Sequence, residues 1–592
     1  MGQMKPAILI FAATGEATAA RIAALTGGAI HACGPAGDDA KTLLPRLFRE
    51  GTPIVGVCAA GILIRLLAPL LTDKHNEPPV IAVSQDGAHV VPLLGGHHGA
   101  NRLARDIAAG LGGSAALTTA SDSRFAFGLD EPPEGWVLES PDAAKPAMAM
   151  LLGDAAIALE GEASWLAEAR YPIAADGAVK TAAGDTIGLV ADLIYRPKTL
   201  VAGVGCERGT SPSEVIGLIE RTLAAARLSP LSLAAIATVD IKGDEPAIHA
   251  AAAHFGILAR FLSVAELDLE RPRLATPSAL VEAEIGTPSV AEAAALKAGT
   301  LIVPKQKSAR ATCAIGRAKI PIDPKTIGRA RGALHLIGIG PGDAASRTAS
   351  AITALERSSD WVGYGLYLDL IADLRFGQEE HRFGLGDEEP RVRHALELAA
   401  TGKTVALVCS GDAQIYAMAT LVYELLGAAG PRAVSDGARR IAVETHPGIS
   451  AFQAASANTG ALIGHDFCCI SLSDLLTPRE TILARLKAAA EGDFVVALYN
   501  PRSGRRTELL DEAKRTFLAR RPPETPVIIA RDLGRPGEDV RVSTLAAFDP
   551  ETVDMLTIVL IGSSTSQSFA RGDGSLVAYT PRGYAKKAEA AE

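Results

Sequence analysis

Two glycine loops can hold a polar ligand by main chain alone. The first is residues 338–343, GIGPGD, and the second lies within residues 407–416, LVCSGDAQIY. Each ends an apolar run of the kind that forms a buried parallel strand, so each is delivered to a sheet edge. Glycine there lets the backbone approach a ligand closely. A further stretch, GGHHGAN, puts His97 and His98 in a glycine turn that opens a helix. Water activation suits imidazoles there, and a helix N-terminus favours anions. Adjacent histidines point in different directions, so they make a poor metal pair, and no metal-ligating set is read from the sequence.

The elements around the first loop test a dinucleotide reading. GIGPGD follows a strand over 333–339 and precedes a helix over 345–356. The spacing is GxGxG, with Pro341 inside it, not GxGxxG. The next strand, 361–365, ends in Gly-Leu-Tyr where the fingerprint needs an acid for a ribose hydroxyl. No GK[ST] follows, which excludes a Walker loop.

The motifs instead resemble the S-adenosylmethionine-dependent tetrapyrrole methylases. GIGPGD, SGDAQIYAMA and HPGISAFQAASANTG are similar to their three loops. YGLYLDLI, GHDFCCISLSDLLTPRE, EGDFVVALYNPRSGRR and DMLTIVLIGSS narrow the resemblance to the precorrin-3B C-17-methyltransferases of cobalamin biosynthesis, across residues 333–567. Arg479 stands where that family has Trp, and Gln414 where it has Gly. The resemblance implies a two-lobed methylase fold and a cofactor pocket lined by Gly340, Pro341, Gly342, Ser410, Gly411 and Asp412. Ile415, Tyr499 and Asn500 complete it. Asp412 is the expected polar anchor; a helix cap is the alternative. Methyl transfer needs donor and acceptor held in line more than it needs acid–base help. The implied substrate is a macrocycle rich in carboxylates, which Arg forks suit. Arg502, Arg505 and Arg506 are the candidates, then Arg391, Arg393 and Arg531. The family reaction also contracts the ring, but the sequence assigns no base among His446, His465 and Asp466.

Upstream, CAAGILIRLLAPLL through GGHHGANRLARDIA, with TTASDS, resembles the cobalt-precorrin-5A hydrolase family. VAGVGCERGTSPSEV, ATVDIKGDE and TLIVPKQKSARATCAIGRAK are similar to that family's C-terminal domain. The implied chemistry opens a lactone on the macrocycle and releases a two-carbon aldehyde. His97, His98, Asp122, Lys242 and Glu245 are the catalytic candidates, with Lys74 nearby in the matched motifs. Against them stand a cap role for Asp122 and a surface pair for Lys242 and Glu245. A non-catalytic tetrapyrrole carrier is the rival for this region, and methylation at another corrin position is the rival for the C-terminal one.

These motifs need several α/β domains to position them, and 592 residues exceed one core. The expected division is an N-terminal α/β domain at 1–130, a small middle domain at 131–196 and a second α/β domain at 197–320. A linker at 321–332, the methylase domain at 333–578 and a polar tail at 579–592 follow. In the middle domain Pro, Ala and Glu weaken the periodicity. A helix over 289–298 is expected to open on Ser289, with Glu292 closing a capping box. A net charge of −9 argues against a nucleic-acid partner. Seven cysteines without a CxxC pair, no signal-peptide core and no long apolar run read as a reduced, cytoplasmic protein without a membrane span. The methylase resemblance implies a homodimer.

Overall fold

The computed structural model describes residues 5–34, 39–71, 77–117, 124–125, 128–375, 377–503 and 507–584. The chain divides into two compact units, 1–330 and 331–592. Strands and helices largely alternate along both units, and the described sheets are mixed or parallel.

In the first unit, Ala7–Ile10 and Ile54–Val57 are apolar runs with every side chain buried. Only a strand covered on both faces accommodates that pattern. They pair in parallel at the middle of a sheet ordered Ala29–Ala32, Ala7–Ile10, Ile54–Val57, Val80–Val83, His89–Leu94, Ser114–Ala115. Leu9, Leu44 and Leu63 fill one side, and Ile8, Ile22 and Ile107 the other.

Residues 136–197 form a four-stranded sheet ordered Trp136–Leu138, Leu193–Pro197, Val179–Ala183, Ile157–Glu160. Aromatics build its core. Trp165 meets Tyr195 edge-on at 5.0 Å, and Phe125 stacks on Tyr171 at 4.3 Å. The buried Tyr195 hydroxyl donates to Leu129 O at 2.8 Å, as a buried phenol requires.

The third sheet runs Leu258–Leu262, Leu233–Val239, Leu200–Cys206, Ala311–Arg317, Thr300–Lys307. Its first three strands are parallel. The helix Val290–Ala295 lies so close that a Cβ on Gly203 would sit 2.0 Å from Ala291 O. Ser289 caps this helix as expected, accepting from Glu292 N at 3.4 Å. Glu292 makes no capping box. Its fully buried carboxylate accepts from Ala275 N, Thr276 N, Thr276 Oγ1 and Lys305 N at 2.7–3.0 Å. Much of the expected linker is also anchored. Arg260 donates to Ile327 O at 2.6 Å and Gly328 O at 2.7 Å, and Phe261 and Arg329 exchange backbone bonds.

The second unit has two lobes. The first is an all-parallel sheet ordered Glu379–Phe383, Asp360–Tyr364, Thr404–Cys409, Ala333–Gly338, Ala442–His446. The second is a mixed sheet ordered Phe467–Ser471, Val495–Tyr499, Thr557–Ile561, Pro526–Arg531, Asp539–Thr544. A small three-stranded sheet ends at Tyr579. The helix after the first glycine loop begins at Ala349, later than its expected start, because Thr348 is the residue that caps it.

Candidate functional site

Thr404–Cys409, Ala333–Gly338 and Ala442–His446 are neighbouring parallel strands. The segments leaving their carboxyl ends therefore converge at one edge, where open α/β sheets bind ligands. They touch backbone to backbone. Gly411 N donates to Gly340 O at 2.8 Å, and Gly340 N returns a bond to Gly411 O at 3.2 Å. A Cβ on Gly338 would lie 2.5 Å from Gly411 O and 2.7 Å from Gly448 N. Glycine is thus required for the loops to meet one another. Asp412 ties them together: Oδ1 accepts from Gln414 N at 2.8 Å, and Oδ2 accepts from Gly448 N at 3.1 Å.

The second lobe closes this edge. Tyr416, at φ +52°, donates from its hydroxyl to Cys469 O at 2.9 Å, and its ring lies 5.1 Å from that of Tyr499. The Tyr499 hydroxyl is buried beside Ser450 without a well-formed hydrogen bond, and burial pushes its pKa up to about 12. Asn500, also left-handed, donates to Ser471 Oγ at 3.0 Å. Ile415 is partly buried against the second lobe's core. Arg535 joins the lobes most directly, donating to Pro341 O and to Ser410 Oγ, both at 3.1 Å. Its stem fills the space beside Gly342, where a Cβ would lie 2.6 Å away. Nothing in the sequence reading singled out Arg535. The turn glycines Gly534 and Gly537, both at positive φ, were the available signal.

This edge offers peptide groups, Ser410, two tyrosines and Ile415, while its buried carboxylate is already engaged. Peptide carbonyls and aromatic faces suit a sulfonium cation. The residues therefore fit S-adenosylmethionine.

The arginine candidates are largely committed elsewhere. Arg502 donates to Pro550 O at 3.1 Å and lies 3.9 Å from Asp511. Arg391 is buried and donates to Gly384 O, Arg393 pairs with Glu389, and Arg531 with Asp554. Arg505 and Arg506 lie outside the described residues. Arg479 pairs with Glu508 at 3.1 Å on the rim of an open depression of about 640 Å³, none of whose lining comes from the glycine loops. His446 contacts Ser350 Oγ at 2.7 Å and His335 at 3.0 Å, and burial holds both histidines below the ordinary value. His465 is exposed and accepts from Asp466 N at 2.8 Å.

In the first unit, His97 and His98 fall in the short helix Gly96–His98, between Gly95 at φ +72° and Gly99 at φ +92°. His98 is exposed. Lys74, Asp122 and the His97 side chain lie outside the described residues. Lys242 and Glu245 are not a surface pair: they are 8% and 1% exposed, with Nζ and Oε2 3.8 Å apart. Glu245 Oε1 accepts from Gly209 N at 3.2 Å, whereas Oε2 has no hydrogen-bond partner. Gly209 and Lys242 follow the neighbouring parallel strands Leu200–Cys206 and Leu233–Val239, so this is again a carboxyl edge. Cys206 ends the first of them, its thiol pushed up to about 11 by burial. Among the described residues, no hydrogen bond or ion pair joins His98 to Lys242 or Glu245.

Comparison with known proteins follows the same division. Residues 42–122 match the family described as cobalamin synthesis G N-terminal, and 200–316 match cobalamin synthesis G C-terminus. Residues 333–549 match the tetrapyrrole (corrin/porphyrin) methylases. A cobalt-factor III methyltransferase of Priestia megaterium is 41% identical over 43% of this chain, which spans 46% of that relative's length. A probable cobalt-factor III C(17)-methyltransferase of Salmonella typhimurium is 41% identical over 42% of this chain and 99% of its own. The crystal structure of the methyltransferase CobJ is 36% identical, covering 42% of this chain and all of that one, at a TM-score of 0.39. The chain belongs to the cobalt-factor III C(17)-methyltransferase family of tetrapyrrole methylases, with cobalamin synthesis G domains preceding the methylase domain.

Proposed function

We propose that residues 333–578 methylate C-17 of precorrin-3B, or of its cobalt-loaded form, with contraction of the ring. The preceding region, 1–320, then acts as a hydrolase that opens a lactone on the same class of macrocycle. The carrying observation is the convergence of three loops from adjacent parallel strands, closed by Tyr416, Tyr499 and Arg535 from both lobes. S-adenosylmethionine supplies an electrophilic methyl group when bound. The chain's part is orientation. Main chain at Gly340, Gly342 and Gly411 fixes the cofactor, with Ser410 and Pro341 beside it. Asp412 keeps the loops in register, and Ile415, Tyr499 and Asn500 form the wall shared with the second lobe. Arg505 and Arg506, in the segment leaving Asn500, meet substrate carboxylates; Arg502 braces that segment from Pro550.

The deciding experiment is a single turnover of the purified chain with S-adenosylmethionine and either metal-free precorrin-3B or its cobalt-loaded counterpart. A product heavier by one methyl group, with the absorption change of a contracted ring, supports the proposal and identifies the substrate form. Methylation without contraction moves the reaction to another corrin position. No methyl gain with either substrate refutes it.

A carrier role for 1–320 is the second reading, because the buried Lys242–Glu245 pair, with Glu245 Oε2 lacking a hydrogen-bond partner, could hold a polar ligand without turning it over. Glu245→Gln separates the two. A hydrolase loses turnover and still binds tetrapyrrole, whereas a carrier loses binding. We also propose a homodimer through the methylase domain and a cytoplasmic location. Among the described residues no helix is long and apolar enough to cross a membrane.

A further inference from the structure

We propose that His335, His446 and Glu444 form a binding site for a divalent transition-metal ion on the first lobe of the second unit. The strand register creates it. His335 lies opposite Glu444 in the parallel pair of Ala333–Gly338 and Ala442–His446. His446 is two residues beyond Glu444 and so shares its face. The donor atoms form a triangle: His335 Nδ1 to His446 Nε2 is 3.0 Å, His335 Nδ1 to Glu444 Oε2 is 3.7 Å, and His446 Nε2 to Glu444 Oε2 is 4.0 Å. A tetrahedral ion with bonds of about 2.0–2.1 Å separates its ligands by roughly 3.3 Å, so these three atoms already stand near ligand spacing.

The remaining contacts favour the same role. Ser350 Oγ lies 2.7 Å from His446 Nδ1. With its Nδ1–H donated to the serine, His446 is left with Nε2 as an acceptor for the His335 Nδ1–H, a proton that a bound ion would displace, and the serine then acts as the outer-shell partner usual for metal-bound imidazole. Two imidazoles and a carboxylate select zinc or a neighbouring transition metal over magnesium or calcium. The Glu444 side chain is 64% exposed, which leaves the ion an entry path and an open position.

A second group with similar donors, Asp360, Glu379 and His381, shows the contrast. There the Lys403 ammonium lies 2.7 Å from Asp360 Oδ1, and His394 Nε2 lies 2.9 Å from His381 Nδ1. A cation is already built in, so that group is an ion network. At His446 no lysine or arginine is paired to Glu444 among the described residues. The site also bears on the glycine loops, because His446 lies two residues before Gly448, whose amide is held by Asp412.

The test is titration of the untagged, chelator-stripped full chain with zinc alone by calorimetry, and with cobalt(II) alone by visible absorption. The expected result is one equivalent bound, with the intense visible bands of low-coordinate cobalt(II). His446→Asn and His335→Asn should weaken binding at least 100-fold and Ser350→Ala about 10-fold, while His381→Asn leaves it unchanged. Glu444→Gln, on an exposed side chain, weakens binding without threatening the fold and stands in for any histidine variant that does not fold. No stoichiometric binding by the wild-type chain, binding retained in Glu444→Gln and the histidine variants, or binding lost in His381→Asn overturns the proposal.

Discussion

Asp412→Asn distinguishes a residue that grips the cofactor from one that holds the cradle together. The carboxylate is 7% exposed and accepts one backbone N–H on each oxygen, from Gln414 and Gly448. Asparagine has a single acceptor oxygen. If it faces Gln414, its amino group meets the Gly448 N–H, donor against donor. One hydrogen bond to a charged acceptor is then lost, at about 1.5–3 kcal/mol. For a unit of this size each kcal/mol lowers the melting temperature by roughly 2–4 °C, so the expected fall is about 3–12 °C. Affinity for S-adenosylmethionine should fall with it by about tenfold, because the third loop is released from the second. Scanning calorimetry gives the first number and isothermal titration the second. A variant that melts within about 1 °C of wild type yet binds the cofactor more than 100-fold more weakly would refute the clamp and make Asp412 a direct ligand.

Further predictions follow from the same geometry. Gly448→Ala places a Cβ 2.1 Å from Gly411 O and 2.6 Å from Gly338 C, both backbone atoms that cannot swing aside; urea unfolding should show a loss of about 1–3 kcal/mol and methyl transfer should disappear. Arg535→Met removes two hydrogen bonds between the lobes, worth about 1–2 kcal/mol together, so the dissociation constant for S-adenosylmethionine should rise roughly 5- to 30-fold. Burial pushes the Asp360 carboxyl up, but hydrogen bonds from Lys403, Ser359 and His381 outweigh it and hold the pKa below the usual range. A depressed folded-state value gives stability that is present above about pH 3.9 and lost as pH falls through the folded value. In Lys403→Met the folded value rises toward the ordinary one, so the stability lost below about pH 3.9 should be smaller in denaturant melts, and an unchanged acid limb would mean the pair contributes nothing.

The sequence was most informative where chemistry is built from main chain. The strands expected over 333–339 and 361–365 are found at Ala333–Gly338 and Asp360–Tyr364, because glycines or turn residues frame each apolar run. The strands leading to the glycine loops were equally legible: a run such as LVC before SGD has few alternatives when both faces must be buried. The middle sheet was not. Its strands are short, and its core depends on Trp165, Tyr171 and Tyr195, which lie on separate elements and have no common period. Glu292 failed for a related reason. Three residues after a capping serine it has the local signature of a capping box, but four donors from other segments outbid that local bond.

Side-chain pairing across strands is the information that one-dimensional spacing lacks. Asp412 and Gly448 are 36 residues apart, Pro341 and Arg535 are 194 apart, and His335 and His446 are 111 apart. Each contact requires strand order as well as strand identity. Once Thr404–Cys409, Ala333–Gly338 and Ala442–His446 are known to be neighbours, the same register accounts for both features of this lobe. At the carboxyl ends it brings three glycine loops within backbone contact. Within the strands it sets His335 beside Glu444, with His446 on the same face. A one-residue slip of Ala442–His446 would turn both latter side chains to the opposite face and draw the Gly448 amide away from Asp412. The cradle and the metal triangle therefore depend on one alignment. An ion bound at the triangle would fix that alignment two residues from the loop, so zinc should slow amide hydrogen exchange at Gly448 in the wild-type chain. It should leave that rate unchanged in Glu444→Gln, which keeps the register, at a zinc concentration too low to fill the weakened site.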